Sequence, residues 1–165
     1  MAGDERLAIH EVDQDAYGPM LAMEKYIHAG NLGADLLALV KLRASQLNGC
    51  AYCLDMHARE ARAAGVDQRR LDVLAGWHEA PVLYTERERA ALALTETVTR
   101  IGEAGVPDEV WASVASVFDE RETVRLLMAV CAINVWNRLA IATHQSLPNV
   151  PAPARAPEPE SQATR

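Results

Sequence analysis

Aromatic side chains, cysteine and excess positive charge are all scarce in this chain. Of its 165 residues only 5% are Phe, Trp or Tyr, with a single Phe, and there are 3 cysteines. So few thiols, and an odd number of them, exclude a framework of structural disulfides and fit a reducing compartment. A formal charge of −7 at pH 7, with no run of Lys and Arg, excludes a nucleic-acid partner and an anionic membrane surface. No stretch reaches the roughly 20 uninterrupted apolar residues that cross a bilayer. The acidic segment from Met1 to Asp15 lacks the basic and apolar regions of a secretory signal. A cytoplasmic location without a membrane partner is therefore expected. Any convincing period-2 alternation is also missing, which removes a β-sheet from consideration.

What is present is one helix signal after another, rich in Ala and Leu, and the expectation is an all-α fold of a single domain with about six to seven helices. The first, from about Pro19 to Ala29, is stopped by Gly30; a second runs from about Gly33 to Leu47, with Leu36, Leu37, Leu39, Val40, Leu42 and Leu47 around most of its circumference. A third spans about Cys50 to Ala64 before Gly65, and Asp67 caps a fourth ending near Gly76. Thr85 with Glu88, and Asp119 with Glu122, have the three-residue spacing of capping boxes. They open helices reaching about Ile101 and about Thr143, with another helix beginning at Pro107 between them. Residues 1–17 read as an arm, 18–147 as the helical domain and 148–165 as a disordered tail. Pro148, Pro151, Pro153, Pro157 and Pro159 leave that tail nothing with which to build a core.

The densest chemistry lies between Ser45 and His57. Cys50, Cys53 and His57 stand at i, i+3 and i+7, which places all three within about 60° of one helix face. Asn48-Gly49 ends the preceding helix, so Cys50 falls in a first turn, where unpaired backbone N–H groups and the helix dipole favour a thiolate. Zinc would want a fourth ligand, and no second Cys/His pair follows at finger spacing. Mere packing of two small cysteines does not explain their spacing with the histidine. A dithiol that cycles with a disulfide needs two close thiols, one of lowered pKa, and a nearby base, and all three are here.

Other polar residues read more plainly. His28 suits a helix end, and Lys41 and Arg43, set in apolar surroundings, need carboxylate partners or a route to water. Glu96, one acid among small and apolar neighbours, is either on a solvated face or a buried carboxylate. Cys131 is expected to be packed in the core of the last helix, and Asn134, Asn137 and Arg138 to tie helices together or line the thiol pocket. The second and last helices are apolar on too much of their surface for a small monomer, so a homo-oligomer is expected.

The segment from Leu39 to His57, Leu-Val-Lys-Leu-Arg-Ala-Ser-Gln-Leu-Asn-Gly-Cys-Ala-Tyr-Cys-Leu-Asp-Met-His, resembles the core signature of the alkylhydroperoxidase D-like proteins of the carboxymuconolactone decarboxylase family. A looser likeness continues through Glu-Ala-Arg-Ala-Ala-Gly and Trp-His-Glu-Ala-Pro to Ile-Asn-Val-Trp-Asn-Arg, covering about residues 20 to 145. The resemblance implies a helical fold assembled as trimers or hexamers, and a peroxidase activity of Cys50 and Cys53 that uses no metal, haem or flavin cofactor. It also implies that His57 belongs to a proton relay completed by a glutamate twelve residues before the first cysteine, where this chain has Ala38. The expectation is that Ala38 leaves His57 without an orienting carboxylate and the reaction slow, unless Glu96 or Glu24 substitutes.

The resulting expectation is a thiol-dependent hydroperoxide reductase. One thiolate attacks the peroxide, the sulfenic acid condenses with the other thiol, and an external dithiol reduces the disulfide. Cys53 is assigned the attack because His57 lies one turn further on, and Cys50 the resolving step; the reverse assignment stays open because Cys50 is nearer the helix N-terminus. A non-enzymatic redox sensor and a general disulfide oxidoreductase are the alternatives. Turnover in the presence of reductant separates the first of these, and activity on protein disulfides the second.

Overall fold

The computed structural model describes residues 5–148, and these are all-helical. In chain order they form α1 (Ile9–Val12), α2 (Gly18–His28), α3 (Ala34–Asn48), α4 (Ala51–Ala63), α5 (Gln68–Asp72), α6 (Glu86–Thr99), α7 (Asp108–Val117) and α8 (Glu120–Thr143). Six of these have ten or more residues, and 3₁₀ turns at Gln14–Tyr17, Leu74–Glu79 and Pro81–Leu83 fill the connections. All of the expected tail but Pro148 lies outside the described residues.

The helix boundaries follow the capping chemistry. Thr85 accepts from Glu88 N while the Glu88 carboxylate accepts from Thr85 N, and Asp119 and Glu122 do the same at the start of α8. Asp67 caps α5 by accepting from Arg69 N, but that helix passes after five residues into 3₁₀ geometry, shorter than the sequence predicts. Gly49 ends α3 at φ 70°, a left-handed conformation that lets the chain turn straight into α4.

Two helices carry the architecture. α3 packs against α4, α6 and α8, and α8 packs against α2, α3, α4, α6 and α7. Leu39, Val40 and Ala44 on α3 and Leu126, Ala129, Val130, Ala132 and Ile133 on α8 are fully buried. α8 is long and apolar enough to match a membrane span by composition. Its position at the centre of the bundle gives that composition a different cause.

One expectation about α8 is corrected: Cys131 is exposed on the protomer, not packed in the core. It shares an outer stripe with Val124, two turns before it, and Val135, one turn after it, whereas Val130 and Asn134 face inward. The N-terminal segment buries no residue in α1 or the following 3₁₀ turn, and the amide of Arg6 donates to Thr143 O at 2.8 Å.

Candidate active site

The turn from α3 to α4 sets the two thiols. Cys50 is the N-cap of α4, with extended backbone (φ −83°, ψ 98°), and its Sγ accepts from Cys53 N at 3.4 Å. Both cysteines are free and both are 1% exposed. A sulfur in the capping position meets N–H groups that have no intrahelical acceptor, which favours its charged form.

Asn137, reaching in from α8, steadies this turn. Its Nδ2 donates to Ser45 Oγ at 3.1 Å and its Oδ1 accepts from Asn48 Nδ2 at 2.8 Å, and its amide favours the ionised form of both thiols. Asn134 accepts from Asn48 at 2.9 Å and donates to Thr99 Oγ1 at 2.9 Å, tying α3 to α8 and α6. The two asparagines tie helices, and Asn137 serves the thiol site as well.

The thiols titrate apart. The Cys53 S–H hydrogen bond holds the Cys50 thiol down at about 7; burial opposes this, and the Cys53 amide and Asn137 assist it. Cys53 is pushed far up, first because its proton serves that bond and then by burial. The pair thus shares one proton near neutral pH, with the charge resting on Cys50.

Only Cys53 of the two lines the main cavity, a space of about 410 Å³. Tyr17, Tyr52, Met56 and Trp136 form its apolar walls, and the rings of Tyr17 and Trp136 meet edge to face at 5.2 Å. Its polar side is Cys53, His57, Glu60, Lys41, Glu24 and His28. A smaller hollow of about 230 Å³ lies on the Cys50 side, beside Gly49, Ala51 and His144.

His57 is 3% exposed, and its Nδ1 lies 2.6 Å from Glu60 Oε2. Its Nε2 is buried with no hydrogen-bond partner among the described residues. The bond to His57 holds the Glu60 carboxyl below the usual range, against the opposing effect of burial. This corrects the expectation that Ala38 leaves the imidazole without a carboxylate, because an acid three residues later on the same helix reaches it. The spacing His-x-x-Glu was visible in the sequence, since i and i+3 are neighbours on a helix.

The other acids separate. Glu24 accepts from Lys41 Nζ at 2.6 Å and from Trp136 Nε1 at 3.0 Å, and Lys41 Nζ lies 3.2 Å from His28 Nε2, so this group belongs to the cavity. Glu96 does not line that cavity. It accepts from Arg43 at 2.7 Å and Trp77 Nε1 at 2.8 Å, with His78 Nε2 at 3.2 Å. Burial raises its pKa, but these bonds outweigh burial and leave it lowered overall. Lys41 and Arg43 each found a carboxylate on another helix.

Residues 14–97 match the carboxymuconolactone decarboxylase family. An uncharacterized protein of Bacillus subtilis (strain 168), YdfG, is 38% identical over 138 residues, covering 84% of this chain and 93% of that one. A crystal structure from Agrobacterium tumefaciens superposes with a TM-score of 0.83 at 36% identity, covering 88% of this chain and 99% of that one. It is of a protein of unknown function for which the name antioxidant defence protein AhpD has been suggested. An uncharacterized peroxidase-related protein from Silicibacter sp. TM1040 shares the fold, with a TM-score of 0.70 at 23% identity, over 80% of this chain and 70% of that one.

Proposed function

The chain belongs to the carboxymuconolactone decarboxylase family, and from that membership together with its paired thiols we propose that it is a thiol-dependent hydroperoxide reductase working through Cys50 and Cys53. The observation that carries this reading is the placement of Cys53 and His57 on one cavity while Cys50, the thiol held near 7, stands behind Cys53 at the helix cap. That arrangement supplies a sulfur facing substrate, a base on the same cavity and a second sulfur ready as thiolate.

Cys53 gives its proton to His57 Nε2 or to the Cys50 thiolate, and its sulfur attacks the terminal peroxide oxygen. The O–O bond breaks, the alcohol leaves with a proton, and Cys53 becomes a sulfenic acid. The Cys50 thiolate then attacks that sulfur and expels water after protonation, closing the Cys50–Cys53 disulfide. An external dithiol returns two electrons and two protons, and the hollow beside Cys50 offers it an approach away from the peroxide cavity. Its low pKa suits Cys50 to resolving, as a thiolate already formed near neutral pH, and cavity access suits Cys53 to attack.

A homo-oligomer in the cytoplasm, where the thiols stay reduced between turnovers, completes the proposal. The test is consumption of hydrogen peroxide and of an organic hydroperoxide with dithiothreitol as reductant. Many equivalents consumed per subunit, lost in Cys53→Ser and in Cys50→Ser, support the enzyme. Stoichiometric oxidation that then stops despite reductant would replace it with a redox sensor.

A further inference from the structure

We propose that Glu60 is the carboxylate of the proton relay, supplied from the turn after His57 on its own helix, and that it fixes His57 as the Nδ1–H tautomer with Nε2 free to take the proton of Cys53. The consequence for catalysis rests on the peroxidase reading; the relay itself does not.

Four observations meet here. The Nδ1 to Oε2 distance of 2.6 Å belongs to a charge-assisted hydrogen bond, and Glu60 has no proton to donate while ionised, so the ring nitrogen must carry it. That leaves Nε2 as the basic nitrogen, and it is buried without a partner among the described residues, on a ring that lines the cavity with Cys53. A buried acceptor left open in this way costs stability unless something uses it, and the proton of a reacting thiol is such a use. Ala38, where the family resemblance places an acid, is packed in an apolar cluster with Leu39, Leu42 and Ala61. Glu60 is half exposed at the cavity rim, so its charge stays ionised there without a second cation of its own.

Glu60 is a positioning residue: it acts through His57 and needs no contact with substrate. Its charge also favours the imidazolium that forms when Nε2 takes the Cys53 proton. The other charged or titratable groups lining the cavity with this ring are Cys53 and Tyr52 on α4, Lys41 on α3, Glu24 and His28 on α2, and Tyr17 just before α2, while α8 contributes the uncharged Trp136. None of these besides Glu60 hydrogen-bonds His57.

Two readouts test this without peroxide. Nitrogen-15 spectra of the reduced protein should show His57 protonated on Nδ1, a state that Glu60→Gln keeps, since the amide oxygen still accepts, and Glu60→Ala loses. The rate of iodoacetamide alkylation at Cys53, followed by peptide mass in the Cys50→Ser background, should need higher pH in both variants. Without the carboxylate the imidazolium is less stable, and thiolate persists only further up the pH scale. At neutral pH the loss should be about tenfold, part of the roughly 10² to 10⁴ that general acid–base assistance supplies. An Nε2–H tautomer in the natural protein, or an unchanged tautomer and pH profile in Glu60→Ala, would overturn the relay. A protein that shows both effects yet consumes no peroxide would keep the relay and overturn the peroxidase reading alone.

Discussion

Lys41 Nζ lies 2.6 Å from Glu24 Oε2, an ion pair between α3 and α2 set in the wall of the cavity that holds Cys53. Lys41 is 5% exposed, so its ammonium depends on that carboxylate. Glu24→Gln should leave a buried charge unpaired and cost about 3 kcal/mol. Lys41→Met should cost less, because Glu24 keeps its bond from Trp136 and some contact with water. Denaturant midpoints of the two variants check the order.

The thiol pair makes a pH prediction. Since hydrogen bonds hold Cys50 at about 7, below its ordinary value, its thiolate is present above that pH and is lost as pH falls through it. Removing the largest cause, in Cys53→Ala, should raise the midpoint most, and Asn137→Leu should raise it by less. Ultraviolet thiolate absorbance against pH reads both. Asn137→Leu should also cost about 1–3 kcal/mol, because Ser45 and Asn48 lose a buried partner.

Ala38→Glu is expected to gain nothing. His57 already has its carboxylate, and a Glu at position 38 enters an apolar cluster where its charge is poorly solvated, at a cost of about 2 kcal/mol or more. Peroxide consumption beside a denaturation curve checks both halves. A rise in turnover would show that Glu60 leaves the imidazole under-supported.

Where a feature depends on neighbours in the chain, the sequence was enough. The capping pairs Thr85–Glu88 and Asp119–Glu122 set helix starts within a residue, and Asn48-Gly49 located the turn that carries Cys50. The thiols and His57 were legible because i, i+3 and i+7 share a helix face. Long-range pairings were not: nothing local joins Arg43 to Glu96, 53 positions apart, or Asn48 to Asn137, 89 apart. The exposure of Cys131 is not legible either, because α8 is apolar nearly all round and such a helix gives no pattern by which to tell its inner face from its outer one. Glu60 is legible by its i, i+3 spacing from His57, but it stands apart from position 38, where the family resemblance puts the acid.

The exposed stripe of Val124, Cys131 and Val135 on α8 gives the oligomer prediction a location. Assembly should survive removal of residues 149–165, because the apolar surface available for contact lies on the helices. Light scattering of the full chain and the truncated one checks this, and a monomer in either case would contradict it.

The most direct measurement is a peptide map of the reduced protein after one equivalent of an organic hydroperoxide. The account predicts a single new disulfide between Cys50 and Cys53 with Cys131 still a free thiol. A disulfide that includes Cys131, or no disulfide at all, would contradict it.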